Sequence, residues 1–180
     1  MAVNRPHPAG DAAKTALTHV ENMLDPIIFP DSRVLLLGSM PSPKSREIGF
    51  YFGNPQNRFW RVVAALYGEK PLKFIPEKID FCKRHHLALC DVLKACDIKG
   101  ASDASIANPV PHNIGALIQD SSICAIFTLG GTATKFYKRY TEQQTGIPAR
   151  QLPSTSPVNA RMSVDDLVGE FSIIKKIYQL

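Results

Sequence analysis

The sequence predicts an α/β protein, a three-layer sandwich with a short, mostly parallel central sheet and helices on both faces. Three observations carry this. The runs at 34–37 and 123–129 are apolar almost throughout, as strands covered on both faces must be. Segments with helical spacing separate such runs, and that alternation belongs to a parallel sheet with crossover helices. With 180 residues, 44% of them hydrophobic, the chain can bury one sizeable core. The chain therefore reads as a loose tail over 1–16 and a single domain over 17–180.

The elements follow in order. The tail mixes Pro6, Pro8, Gly10, alanines and single charges, and has neither the apolar stretch of a signal peptide nor an Arg-rich amphipathic face. Residues 17–24 are expected as a short helix, leading through Pro26 and Pro30 into the strand 34–37. A helix over 55–67 places Phe59, Val62, Val63 and Leu66 at core spacing, with Gly68 just past its end. A second helix, 76–85, precedes a strand at 87–90. The polar stretch 94–111 reads as a connection, long enough to suggest a functional surface loop. A helical turn at 113–119, a strand at 123–129, a helix at 130–140 and a last strand at 149–152 complete the alternation. The closing helix opens at Ser163, with Asp166 three residues on in a capping-box pattern, and its apolar face is Leu167, Val168, Phe171, Ile174 and Tyr178.

Composition narrows the function classes. A formal charge of +5 favours an anionic partner. No run of eighteen apolar residues occurs, which excludes a spanning helix and fits a cytoplasmic protein. Cys82, Cys90, Cys96 and Cys124 form no CxxC pair, so reduced thiols and no metal site are expected.

Two motifs carry the chemistry. The strand 34–37 runs into Gly38-Ser39-Met40-Pro41-Ser42, followed by Phe50-Tyr51-Phe52-Gly53-Asn54-Pro55-Gln56-Asn57-Arg58-Phe59-Trp60. A strand that delivers a small-residue turn, aromatics and uncharged amides to a sheet edge builds a pocket for a flat polar ligand such as a nucleobase. The second motif, Leu152-Pro153-Ser154-Thr155-Ser156-Pro157-Val158-Asn159-Ala160, follows about a hundred residues later, just after the last predicted strand. Read alone, it is a Ser/Pro turn.

Together, in this order and spacing, the motifs resemble those of the hypoxanthine-DNA (deoxyinosine) glycosylases, a branch of the uracil-DNA glycosylase superfamily. The resemblance implies a monofunctional DNA glycosylase of base excision repair that hydrolyses the N-glycosidic bond of a deaminated base, above all hypoxanthine. It implies a monomer acting on DNA in a prokaryotic cytoplasm, with no cofactor. It places Asn57 at the Asn of the family's Asn-x-Phe-Trp segment, as the catalytic residue that orients water or bonds a purine edge. Gly38, Ser39, Met40, Tyr51, Phe52 and Asp91 become the base pocket. Ser154, Thr155, Ser156, Pro157, Val158, Asn159 and Arg161 become the DNA-binding set, the hydroxyls for phosphates and Pro157-Val158 as a wedge. Some relatives hold an iron-sulfur cluster on four cysteines, but here all four lie between Cys82 and Cys124, and none is expected.

Asn57 has a second reading, as a helix cap. Asn54-Pro55 matches a cap followed by proline at the first helical position, which would leave the Asn57 side chain unengaged. The chain also departs from its uracil-excising relatives. Met40 stands where an Asp or Asn is frequent, and Leu152 where His or Asn is frequent. Leu129 replaces an Asn common in hypoxanthine-acting relatives. The alternatives are a uracil or G/U mismatch glycosylase and a non-catalytic nucleic-acid-binding domain. A phosphate-loop enzyme is disfavoured because residues 38–45 lack its second Gly and Lys-Ser/Thr pair.

Overall fold

The computed structural model describes residues 16–177. Its centre is a four-stranded parallel sheet in the order β3-β2-β6-β7, formed by β2 (Val34–Gly38), β3 (Leu87–Asp91), β6 (Ala125–Leu129) and β7 (Ala149–Leu152). The residues of β2 from Val34 to Leu37 are fully inaccessible. Val34 and Leu36 enter one hydrophobic cluster, with α2 (Phe59–Leu66), α3 (Ile75–Arg84) and α7 (Val164–Phe171). Leu35 and Leu37 enter the other, with α4 (Ile114–Ile118) and α5 (Gly131–Tyr140). A strand apolar at every position is thus what a three-layer sandwich requires.

Three expectations need correction. The segment 17–24 is not a helix: Thr18–Glu21 is β1, antiparallel to β4. The stretch 94–111 is not a loop: it forms a hairpin of β4 (Leu93–Lys99) and β5 (Ser102–Pro111), turning through Gly100 at φ +54°. These strands make a second, antiparallel sheet in the order β1-β4-β5. Register shifts at Leu93/Ala95, Ala95/Asp97 and Asp97/Lys99 break the two-residue period that would have shown the hairpin. Pro109 and Pro111 lie in β5, an edge strand, where a missing N–H is tolerated.

The third correction concerns α2, which starts at Phe59 and not at Pro55. Asn54 closes a turn before it, accepting from Gln56 N with its side chain (3.0 Å) and from Asn57 N with its carbonyl (2.8 Å). The short α1 (Pro43–Ile48) is capped by Ser42, and α6 (Glu142–Thr145) follows α5. The capping box of Ser163 and Asp166 forms as expected, but the closing helix is interrupted at Ser172 before α8 (Ile173–Lys176). The tail residues 1–15 and Tyr178 lie outside the described residues.

Candidate active site

The parallel register sets the site. It pairs Gly38 with Asp91 and Leu129 with Leu152, so all four strands end at one edge and their loops rise from it. Between these loops and the β4–β5 hairpin lies a cleft of about 960 Å³.

Its floor is Gly38, Asp91 and Phe52. A Cβ on Gly38 would lie 2.3 Å from Asp91 Oδ1 and 3.8 Å from a Phe52 ring carbon, so only glycine lets the carboxyl and the ring flank this point. Asp91 is 3% exposed. Its Oδ2 accepts from Asn22 Nδ2 at 3.1 Å, while Oδ1 has no hydrogen bond among the described residues. Burial pushes its pKa up to about 7, with the Asn22 bond opposing and the nearby Asp103 charge adding.

Of the three consecutive aromatics, two are packed away. Phe50 stacks on Trp60, and buried Tyr51 donates its hydroxyl to the Leu24 carbonyl (3.3 Å). Burial holds the Tyr51 phenol well above its usual pKa, so it stays neutral. Phe52 is half-buried and lines the cleft with its ring, stacked on Phe59 with centroids 4.0 Å apart. It sits at φ +51°, a left-handed conformation that costs an aromatic residue about 1 to 3 kcal/mol and recurs at binding sites.

Asn57 joins the two sequence motifs. Its Oδ1 accepts from Phe59 N at 2.9 Å and from Thr155 Oγ1 at 2.8 Å, so the carbonyl is saturated and the amide orientation fixed. Asn57 therefore does serve the helix start, contrary to the expectation that Asn54-Pro55 relieves it of that task. Its Nδ2 makes no hydrogen bond among the described residues, and Asn57 lines the cleft. It is left a donor.

The rim is the loop 153–162, held by Arg58. The Arg58 guanidinium donates to the carbonyls of Asn159 (2.7 Å), Ser156 (3.0 Å), Thr155 (3.4 Å) and Met162, and its backbone N–H donates to Thr155 (3.0 Å). Asn159 Nδ2 donates to the Ser154 carbonyl (2.9 Å). Gly130, at φ +91°, lets the start of α5 approach this loop, for a Cβ there would lie 3.2 Å from Ser154 Cβ. Val158 is 89% exposed at the tip. Opposite, the hairpin brings Asp103 to the cleft, where it accepts from Ser39 Oγ.

The model of the Uracil DNA glycosylase superfamily matches residues 26–171. The chain belongs to that superfamily. The glycosylase is 29% identical, over 76% of its length and 87% of the relative's, to a protein of Methanosarcina acetivorans named Hypoxanthine DNA glycosylase. It is 35% identical to a protein of the same name from Methanosarcina barkeri, over 45% of its own length and about half of that relative's (52%). Among solved structures it resembles, with TM-score 0.71 and 27% identity, a solution structure of a Methanosarcina acetivorans protein assigned as a uracil DNA glycosylase, covering 84% of this chain and 96% of that one.

The glycosylase fold brings Gly38, Ser39, Met40, Tyr51, Phe52, Asn57, Asp91 and Ser154 to Asn159 to one cleft. Met40 is buried in the second hydrophobic cluster as well as lining it. Arg161 and Arg150 are exposed outside the lining. Two further basic residues near the first motif are engaged locally, Lys44 with Glu47 (2.7 Å) and Arg46 with the Pro41 carbonyl (2.8 Å). His85 packs in a surface network, 2.5 Å from Glu69, whose pKa Arg84 draws down to about 2. Burial pushes the Cys90 thiol up to about 12, so it is inert. Sequence reasoning missed Asn22, Arg58 and Asp103. Only the position of Arg58 inside the first motif hinted at its part.

Proposed function

We propose that this enzyme removes hypoxanthine from DNA, with the base stacked on Phe52 and read by Asp91. The observation that carries this reading is the Asp91 Oδ1 acceptor beside Gly38, next to the half-buried Phe52 ring that lines the cleft. A flipped hypoxanthine presents an N1–H to such an acceptor, whereas adenine presents a lone pair there, which an ionised carboxylate repels. Asn57 Nδ2 donates to the departing base, on which negative charge grows as the bond to the sugar breaks.

The rim supplies the grip on DNA. Ser154 Oγ accepts from Ser156 N and Ser156 Oγ from Val158 N, so each hydroxyl keeps its proton for a phosphate oxygen. Val158 at the tip fills the gap left by the flipped base. We take the enzyme to act on DNA as a monomer, the reading that its gel-filtration mass tests. Among the described residues no helix is long and apolar enough to cross a membrane.

The test is incubation with labelled duplexes carrying hypoxanthine, uracil or xanthine, followed by alkaline cleavage at abasic sites. Hypoxanthine is expected to be released fastest. Uracil released fastest would reassign the base, and binding without abasic sites would make this a non-catalytic DNA-binding domain.

A further inference from the structure

Asp103 is the second residue of β5, just past the hairpin turn, and its position is hard to explain structurally. It is half-buried in the cleft wall, forms no ion pair among the described residues, and has one side-chain partner, the Ser39 hydroxyl at Oδ2. Oδ1 makes no hydrogen bond among the described residues. Burial raises its pKa, and its charge also raises that of Asp91, so the two carboxyls lie near enough to sense one another. A half-buried carboxylate with a single hydroxyl partner is costly to keep, and such groups cluster where chemistry needs a charge.

Hydrolysis of a glycosidic bond needs a group to take the proton of the attacking water and to balance positive charge on the sugar. Asn57 cannot accept that proton, since both lone pairs of Oδ1 are used by Phe59 N–H and Thr155 O–H. Asp91 lies deepest, at 3% exposure beside the Phe52 ring, where the base edge comes. Asp103, more exposed and carried by the hairpin, is the carboxylate left for the sugar.

Building on the glycosylase reading above, we propose that Asp103 is a catalytic residue, the general base for water. As the C1′–N9 bond breaks, its electron pair leaves on N9 of the base. The water oxygen bonds to C1′, and the water proton passes to Asp103 Oδ1. Ser39 is a positioning residue that holds Oδ2 and turns Oδ1 to the cleft.

The experiment is single-turnover excision from a hypoxanthine duplex, with duplex affinity and thermal midpoint measured alongside. Asp103→Asn is expected to lower the rate about 10²- to 10⁴-fold, with duplex binding no weaker and the midpoint no lower. Asp103→Glu should restore part of the rate, and added formate should partly restore Asp103→Ala, responses that a scaffold residue does not give. Ser39→Ala should fall less, about tenfold. Wild-type excision together with an undiminished Asp103→Asn rate overturns this inference alone. So does a rate loss matched by a lower midpoint and relieved by neither glutamate nor formate. Wild-type protein inactive on every damaged duplex removes the reading of the site and this inference with it.

Discussion

The two walls of the cleft are built in opposite ways. The loop 153–162 has no regular structure, and its shape rests on side chains: Arg58 on four carbonyls, Thr155 on Asn57, Asn159 on Ser154. The β4–β5 hairpin facing it rests on a backbone ladder, and among its residues Asp103 donates nothing to that ladder's strength through its side chain, which reaches across to Ser39. The difference teaches where each wall is vulnerable. One arginine decides whether the loop exists in this form, whereas the hairpin tolerates side-chain change and can spend a residue on chemistry.

The largest effect is expected at the loop. Arg58→Ala should free the carbonyls of Thr155, Ser156, Asn159 and Met162, where each charged hydrogen bond is worth about 1.5 to 3 kcal/mol. Excision should become undetectable, duplex binding should weaken, and limited proteolysis should cut within 153–162. Arg58→Lys should not restore activity, because a lysine cannot span several carbonyls at once. If Arg58→Ala keeps wild-type excision, the loop is not side-chain-built.

Next is Asn57→Ala, which removes the donor and the loop's tie to the first motif through Thr155. The barrier to excision should rise by about 2.7 to 4 kcal/mol. Because Asn57 Oδ1 also accepts from Phe59 N, stability should fall by about 1 kcal/mol, readable in urea melts. Loss of stability without loss of rate would reduce Asn57 to a cap.

The floor gives a pH signature. With a folded pKa near 7 against an ordinary 3.8, Asp91 keeps in the folded protein a proton that the unfolded chain releases. Its contribution to stability is therefore greatest at low pH, declines as pH rises from about 4 to 7, and levels off above that. Accepting N1–H needs the ionised form, so excision should climb through about pH 7, in the opposite direction. In Asp91→Asn the amide oxygen would take the Asn22 bond and turn an NH2 toward the base's N1–H. Excision by that variant should drop by about 1 to 3 kcal/mol of barrier, and the declining stability should flatten. Chemical melts and rates from pH 5 to 8.5 read both. The smallest effect belongs to Val158→Ser, whose exposure predicts a change in fold stability within about 0.5 kcal/mol and a modest loss of duplex affinity by titration.

The same contrast explains what the sequence could disclose. Strands 34–37, 87–90 and 149–152 were legible because burial on both faces or position before a motif marks them, and the Ser163 box was legible because its two partners are three residues apart. The hairpin was hidden by its bulges and by two prolines, and β1 by a spacing of apolar residues that suits a turn of helix as well as a strand. The loop's motif was visible, but its anchor was not: Arg58 holds backbone carbonyls, which every residue type offers. Asn22 and Asp103 reach the floor only through tertiary pairing of segments read as something else.

The most direct test of the central claim, that the cleft recognises a purine by its N1–H, uses three duplexes with hypoxanthine, unsubstituted purine or adenine at one position. Purine keeps the ring and lacks N1–H. At pH 8, single-turnover release of hypoxanthine should exceed that of purine by tenfold or more, as loss of a hydrogen bond to a charged group requires, and adenine should stay in place. Equal release of hypoxanthine and purine would contradict the account.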